Sequence, residues 1–554
     1  MSRNAYRPRT ELATHAVTNQ PPSLAGYNAF ETDTALRAAV IREGGDWGLD
    51  VLSHYGAIAG DELLELGFAA NENPPQLRTF DRYGQRIDEV EFHPAYHRSM
   101  QLAKENGLHS LTWTADRPGL QVVRSALFYL HNQFEAGTMC PITMTHAAVP
   151  VLRHAPELAD AWLPGILAND YDPRVRPAID KTGLTIGMGM TEKQGGSDVR
   201  TNTTWATPAA ALGDGVYTLR GHKWFLSAPM CDAFIVLAQE ASGLSCFLLP
   251  RWTLDGQRNA VDIQRLKNKL GDRSNASSEV EFRDAEALRI GESGRGVATI
   301  LEMVSQTRLD CMLGSAGLMR QAVVQAIHHC RHREAFGKRL SDQPLMTRVL
   351  ADMALESEAA MVYALRIARA FSAETEQERL LARIATPVGK YLICKATPAL
   401  VNEAQECLGG AGYIEESILP RLFRQSPLNS IWEGSGNVQC LDMLRALTRT
   451  PVIGDALHDE LGKASGLHPA FDTHCRTTQT LLASTVEEPA MARAAAEHVA
   501  RALQAAWLLT GDVPWVGEAF CNARLAPGIT RAYGASSAEF NSVELVARAW
   551  PEFA

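Results

Sequence analysis

The chain has 554 residues, 46% of them apolar and 21% charged; this excludes a disordered or fibrous protein and leaves room for three or four domains at roughly 150 residues each. Its net charge of −10, from 53 basic and 63 acidic residues, supplies no global attraction for nucleic acid. No run approaches the roughly 18 apolar residues of a membrane span, the first residues carry no apolar signal core, and the ten cysteines are scattered with no C-x-x-C pair, so a cytoplasmic protein with buried free thiols is expected.

Residues 1–35 are polar and turn-rich and read as an arm. Helical spacing of apolar residues then runs to about 170, interrupted by clusters such as Asn73-Pro74-Pro75. Between about 184 and 287 the pattern changes to short β-type runs, at 217–220, 233–238, 245–249 and 279–282. Turn signals at Gly213-Asp214-Gly215 and Asp255-Gly256 separate them, which predicts a small antiparallel β domain. Long helices follow at 297–332, 344–372 and 377–407, with Pro344 at a helix start and Gly409-Gly410 just past a helix end; they predict an antiparallel bundle. Beyond 450 come further helices, among them an Ala-rich stretch at 490–509, with Gly and Pro breaks at 511–517 and 527–534. The expected domains are 1–183, 184–288, 289–450 and 451–554. The expected fold class is α+β, predominantly α.

The common nucleotide and hydrolase motifs are missing: there is no P-loop, no G-x-G-x-x-G, no G-x-S-x-G and no H-E-x-x-H. His328 and His332 are one helical turn apart and could share a metal, but no further ligand lies nearby in sequence, and no metal site is expected. Three segments carry possible chemistry. In Met188–Val199, hydroxyls at Thr191 and Ser197 flank Gly195 and Gly196, which reads either as a turn or as a backbone cradle for a phosphate. Gly221–Ser227 places Trp224, Phe225 and Ser227 on a strand, which is either core or a support for a flat ring. Asn429–Asn437 sets Glu433 among Ile431, Trp432 and Gly434. It is either a helix start or salt-bridge partner, or a desolvated carboxylate suited to act as a base.

Taken in this order, the segments resemble the acyl-CoA dehydrogenase family of flavoproteins. Thr191–Asp198 is similar to its T-E-x-x-A-G-S-D signature and Gly221–Ser227 to its G-x-K-x-[WYF]-I-[ST] strand. Arg333–Gly337, with Gln343, resembles its R-x-x-F-G element, Gly409–Tyr413 its G-G-x-G-[YF] turn, and Ile431–Ser435 its I-Y-E-G-T segment. The spellings at 71–75, 140–145, 269–276 and 429–437 resemble the branch of the family that serves the bacterial adaptive response to DNA alkylation.

The resemblance implies the family fold of N-terminal α domain, middle β domain and helical bundle, plus an extra helical domain over 451–554. It implies FAD, with Met190 and Thr191 beside the flavin, Gly196 and Ser197 at the pyrophosphate, and Trp224, Phe225 and Ser227 on the isoalloxazine. Arg333, Phe336, Gln343, Gly409 and Gly410 would hold the ADP half from a neighbouring subunit of a homotetramer. Ile431, Trp432, Gly434, Ser435 and Asn437 would complete the cofactor site around Glu433, the implied catalytic base. That base takes the α-proton of an acyl-CoA thioester while a β-hydride passes to the flavin. The branch further implies binding of double-stranded DNA through the extra domain, to protect or repair it. The alternative implied function is a metabolic short- or branched-chain (isovaleryl-CoA type) dehydrogenase whose extra domain serves oligomerisation only.

The sequence departs from this pattern. Val304 and Ser305 precede Arg308 where many members have an aromatic residue and Asp. Glu406 stands for Gln, and Gln425 follows Arg424 in place of Asp. Residues 451–554 hold seven Lys/Arg against twelve Asp/Glu, whereas a phosphate-binding module is ordinarily basic. Arg445 and Arg449 are the best local basic pair.

Overall fold

The computed structural model describes residues 14–526 and 532–551. The first part of the expected arm and residues 527–531 of the expected break at 527–534, Arg531 among them, lie outside the described residues.

The N-terminal region is helical, as its spacing predicts, and includes α1 (Leu120–Asn132) and α2 (Met139–Leu152). It also contains an antiparallel hairpin, β1 (Gln76–Phe80) and β2 (Arg86–Glu91), within the stretch expected to be helical. Asn73-Pro74-Pro75 stops the preceding helix, and Asp81 to Gly84 forms the turn, with Gly84 at φ +80°. The hairpin ties this region to the next: Arg86 donates to the Ile263 carbonyl at 2.6 Å, and Asp88 accepts from the Ile263 amide at 3.1 Å.

The middle region holds seven strands: β3 (Ile186–Thr191), β4 (Trp205–Pro208), β5 (Val216–Ser227), β6 (Ala233–Glu240), β7 (Gly243–Pro250), β8 (Val261–Leu266) and β9 (Ser277–Ile290). Most neighbours are antiparallel, as expected, but β3 and β4 run parallel to β6. The ladders β5–β9–β7–β6–β3–β5 return on themselves and leave few open edges. Close approach explains Gly187: a Cβ there would lie 2.6 Å from the Ser227 carbonyl. A core of its own fills this region, built from Ile235, Phe247, Phe282 and their neighbours.

The bundle is α3 (Gly296–His332), α4 (Pro344–Ser372), α5 (Glu376–Leu408), α6 (Leu419–Gln425) and α7 (Gly436–Arg449). Between α3 and α4 a two-residue turn joins β10 (Glu334–Ala335) to β11 (Lys338–Arg339). Pro344 opens α4 at a position with no helical N–H to lose. Thr375 caps α5 by accepting from the Glu378 amide, and Gly409 at φ +61° ends it. The tail adds α8 (Val452–Gly462), α9 (Pro469–Glu487), α10 (Ala492–Leu509), α11 (Pro514–Arg524) and α12 (Ser542–Ala549).

α3 organises the whole. Its Asp310 forms a buried bidentate ion pair with Arg124 of α1. Arg308 pairs with Asp442 of α7 at 2.7 Å. Arg320 pairs with Asp33 and donates to the carbonyls of Thr32 and Ala549. Among the described residues, no helix is long and apolar enough to cross a membrane. Nine of the ten cysteines are buried and Cys475 is half-buried; all are free.

Three of the tail cations face inward. Arg501 and Arg524 both reach Glu356 of α4 at 2.8 Å, Arg524 also reaches Asp352 at 2.6 Å, and Arg548 pairs with Glu358 at 2.8 Å. Burial pushes the Glu356 carboxyl up, but Arg501 and Arg524 more than reverse this and bring it to about 2. A depressed pKa adds stability above the ordinary value of about 4.5 and loses it as pH falls through the folded value. Acid titration is therefore expected to loosen the tail between pH about 4.5 and 2, measured by limited proteolysis. At neutral pH Glu356→Ala is expected to cost about 3–5 kcal/mol in denaturant unfolding, because it strands buried cations.

Candidate functional site

Glu433 lies in the connection between α6 and α7 with φ +56°, a left-handed conformation costly for a non-glycine residue. Buried donors hold it there. Lys390, 1% exposed, donates to the carbonyls of Trp432 and Gly434 at 2.6 and 2.7 Å. Arg308 and Gln439 donate to the Glu433 carbonyl at 3.2 and 3.0 Å, and Gln439 also to that of Gly434 at 2.9 Å. Three successive carbonyls are thus fixed, and Gly434 follows at φ +95°. The Glu433 carboxylate accepts from the Thr307 hydroxyl at 2.7 Å. Trp432 donates through Nε1 to Asn429, which in turn donates to Ser315 of α3.

Glu433 opens onto a cleft between α1, α2, α3 and the end of β5. Phe128, Met139, Met144 and Leu318 give it apolar walls, and Ser227, Trp432 and Asp310 also line it. Cys140 lines it as well, its thiol pushed up to about 12 by burial, so it is no nucleophile at neutral pH.

The two glycine-bearing segments read from the sequence meet across this cleft's edge. Thr191 pairs with Phe225 across β3 and β5, and Met188 with Ser227. A buried ion pair locks them: Lys223 donates to Glu192 at 2.7 Å and to the Leu237 carbonyl at 2.8 Å. Glu192 also accepts from the Thr203 amide at 2.7 Å. Met190 is half-buried and its carbonyl accepts from Asn202. Phe225 is 44% exposed beside Thr191, and Gly196 and Ser197 are exposed. Trp224 carries the Lys267 ammonium 3.2 Å from its ring centroid.

A second group sits elsewhere. Phe336 is 99% exposed at the tip of the β10–β11 hairpin, where it and Gly337 have φ +54° and +76°, a type I′ turn. Gln343 donates to the Ala335 carbonyl and Arg333 to that of Asn19. Gly409 and Gly410 are exposed with open space where a Cβ would stand. They lie at the same end of the bundle, since Cys330 of α3 contacts the Cys407 carbonyl of α5. From Thr307 to Arg333 α3 climbs 26 residues, about 39 Å at 1.5 Å per residue. One chain therefore does not gather both groups at one place.

Other expected residues take local roles. Ser435 precedes α7 without a side-chain cap, Ile431 is exposed, and Asn437 accepts from Arg493 of the tail at 2.8 Å. His328 holds the Pro22 carbonyl at 2.9 Å, and His332 turns back to the His328 carbonyl. Arg445 and Arg449 are exposed on α7, and among the described residues neither forms an ion pair. Sequence reasoning missed Lys390, Thr307, Gln439 and the Glu192–Lys223 pair. A lysine among apolar neighbours on α5 was the available signal for the first.

Comparison with known proteins agrees with this architecture. Residues 19–173 match the family model described as the adaptive response protein AidB N-terminal domain. Residues 187–285 and 294–448 match the middle and C-terminal domains of acyl-CoA dehydrogenases. AidB of Escherichia coli is 50% identical over 86% of this chain and 88% of its own. The chain belongs to the acyl-CoA dehydrogenase family. Acyl-CoA dehydrogenase family member 11 of Caenorhabditis elegans is 32% identical over 72% of this chain and 66% of its own. The crystal structure of ACDH-11 from that organism, in complex with C11-CoA, has a TM-score of 0.80 at 26% identity and covers 99% of this chain and 94% of its own. The structure described as the Bd2924 apo-form reaches 0.81 at 28% identity, covering 88% and 98%.

Members of this family are FAD-binding flavoproteins, and the residues here fit that group. Half-exposed Phe225 beside Thr191, with the Lys267 ammonium 4.5 Å from its ring centroid, and fully exposed Phe336 offer flat surfaces, and Gly196, Gly409 and Gly410 leave room for close approach.

Replacing Lys390 by Met should strand two carbonyls, at about 1–3 kcal/mol each. The expected result is a lowered denaturation midpoint, checked by denaturant unfolding.

Proposed function

We propose that the chain is an FAD-dependent dehydrogenase acting on acyl-CoA thioesters, with Glu433 as its catalytic base. The observation that supports this best is the carboxylate itself, fixed in a strained turn by buried donors and opening on a largely apolar cleft beside Ser227. A carboxylate in such a site is poised to remove the proton α to a thioester carbonyl. Thr307 orients it by one hydrogen bond, and Trp432 and the cleft walls exclude water. FAD, when bound, accepts the hydride from the β-carbon. Met190, Thr191, Phe225 and Ser227 would flank the flavin, and Gly196 and Ser197 its pyrophosphate. Trp224 and the Ile431–Asn437 turn would border the same site. Arg333, Phe336, Gln343, Gly409 and Gly410 would hold the ADP half from a second copy, in a homotetramer, which accounts for their distance along α3 from Glu433.

A second role, in double-stranded DNA binding within the adaptive response, is favoured by Arg445 and Arg449, exposed one turn apart on α7 with no carboxylate engaging them among the described residues. The tail itself offers less, because Arg501, Arg524 and Arg548 are committed to bundle carboxylates. The chain is proposed to act in the cytoplasm, where its free thiols stay reduced.

Glu433→Gln is expected to retain FAD and to slow anaerobic flavin bleaching by acyl-CoAs at least about 100-fold, followed by absorbance; bleaching at the wild-type rate would exclude Glu433 as the base. For DNA, replacing both Arg445 and Arg449 by Ala should lower the slope of log affinity against log salt by about 2, measured by filter retention. An unchanged slope would remove these residues from the contact.

A further inference from the structure

The cleft in front of Glu433 is not uniformly apolar. Three acidic residues line it, Glu433, Asp310 and Asp272, and no lysine or arginine does. Asp310 is neutralised by Arg124 and also accepts from Thr143, and Glu433 accepts from Thr307. Asp272 is different. It is 5% exposed and lines the cleft; its carbonyl accepts from the Asn275 amide, but among the described residues no group donates a hydrogen bond to its carboxylate. Gln425, likewise 5% exposed and lining the cleft, has no hydrogen-bond partner for its side-chain amide among them either.

These two side chains are neighbours by construction. Gly271 packs so closely on the end of α6 that a Cβ would lie 2.5 Å from the Arg424 carbonyl and 2.7 Å from the Gln425 Cα. Asp272 follows with φ +48°. The loop is anchored on its other side by Ser274, which donates to buried Glu135. A strained, non-glycine residue held between two anchors thus keeps an unpartnered carboxylate at the cleft, within reach of a donor that enters it. Burial pushes its carboxyl up to about 6, opposed by Lys269 and reinforced by Glu135, so at neutral pH it is chiefly an anion that lacks a donor.

We propose that Asp272 and Gln425 form a recognition subsite for a hydrogen-bond donor, a hydroxyl or a protonated amine, carried on the acyl group of the substrate. The subsite rests on the acyl-CoA reading of the cleft and sharpens it. It selects against plain alkyl chains, which make no bond to either group, and against acyl groups ending in a carboxylate, which would meet Asp272 and Glu433 where no lysine or arginine lines the cleft. Asp272 is a specificity residue here and takes no proton from the reacting carbons.

The test uses the FAD-loaded full chain and non-reactive S-alkyl-CoA thioethers of one chain length ending in methyl, hydroxyl, ammonium or carboxylate, titrated by calorimetry. The hydroxyl or the ammonium analogue, or both, is expected to bind about tenfold or more tightly than the methyl one, the gain of a hydrogen bond to a charged group, and the carboxylate analogue more weakly than all three. Asp272→Asn, which preserves volume, should abolish any ammonium preference. Asp272→Leu should abolish the hydroxyl preference too, with FAD content checked to confirm folding. Methyl binding as tight as that of both donor analogues, no binding by any analogue, or a preference that survives Asp272→Leu together with Asp272→Asn, would overturn the subsite. Bleaching by the matching thioesters reports separately on dehydrogenation. Donor preference without bleaching keeps the subsite and defeats the dehydrogenase reading; bleaching with methyl preference does the reverse.

Discussion

A buried charge must find a partner, and α3 carries three along one rigid rod. Asp310 takes Arg124 from the N-terminal region, Arg308 takes Asp442 from the end of the bundle, and Arg320 takes Asp33 and the carbonyl of Ala549 near the chain's far end. Each pairing is specific in position, since an unpaired ion in such a place costs several kcal/mol. Apolar packing supplies most of the cohesion, but it is non-directional. The ion pairs set where along α3 each region docks. Asp310 and Arg308 also reach the site directly, one lining the cleft and the other holding the Glu433 carbonyl.

The site follows the same logic at smaller scale. Glu192 and Lys223 belong to two segments that look independent in sequence, yet they form one buried pair beneath the exposed Phe225 and Thr191. The residues that resemble the family's signatures are thus of two kinds. Some face the space where a cofactor would lie; others only hold those in register. Lys390 and Arg308 do the second job for Glu433 from helices well separated from it in sequence.

The long bundle helices could be read from the sequence nearly to the residue, because helical periodicity sustained over some 30 positions leaves little freedom, and Pro344 and Gly409 mark two of the ends. The β1–β2 hairpin was missed since two strands of five or six residues carry too short an alternation to stand out within a helical stretch. The parallel pairing of β3 and β4 with β6 was equally invisible, as it depends on which edge a short strand finds. Glu433 and the segments at 191–198 and 221–227 could be named from residue types and their order. Asp272, Thr307 and Lys390 could not: each becomes a site residue only through contacts made across the fold. The acidity of the tail was visible, but not that Arg501, Arg524 and Arg548 are spent on internal carboxylates, which leaves the tail surface more acidic than its composition.

The inward-facing tail arginines also impose an order on synthesis. Glu356 lies 145 residues before Arg501 and 168 before Arg524. At about 5–20 residues per second, α4 waits about 7–30 s for its counter-charges to be made. Throughout that interval the bundle holds a carboxylate at a surface shaped to be covered. The mature bundle is therefore completed from its C-terminal end, and a chain truncated before Arg501 would keep α4 in its nascent, uncovered state.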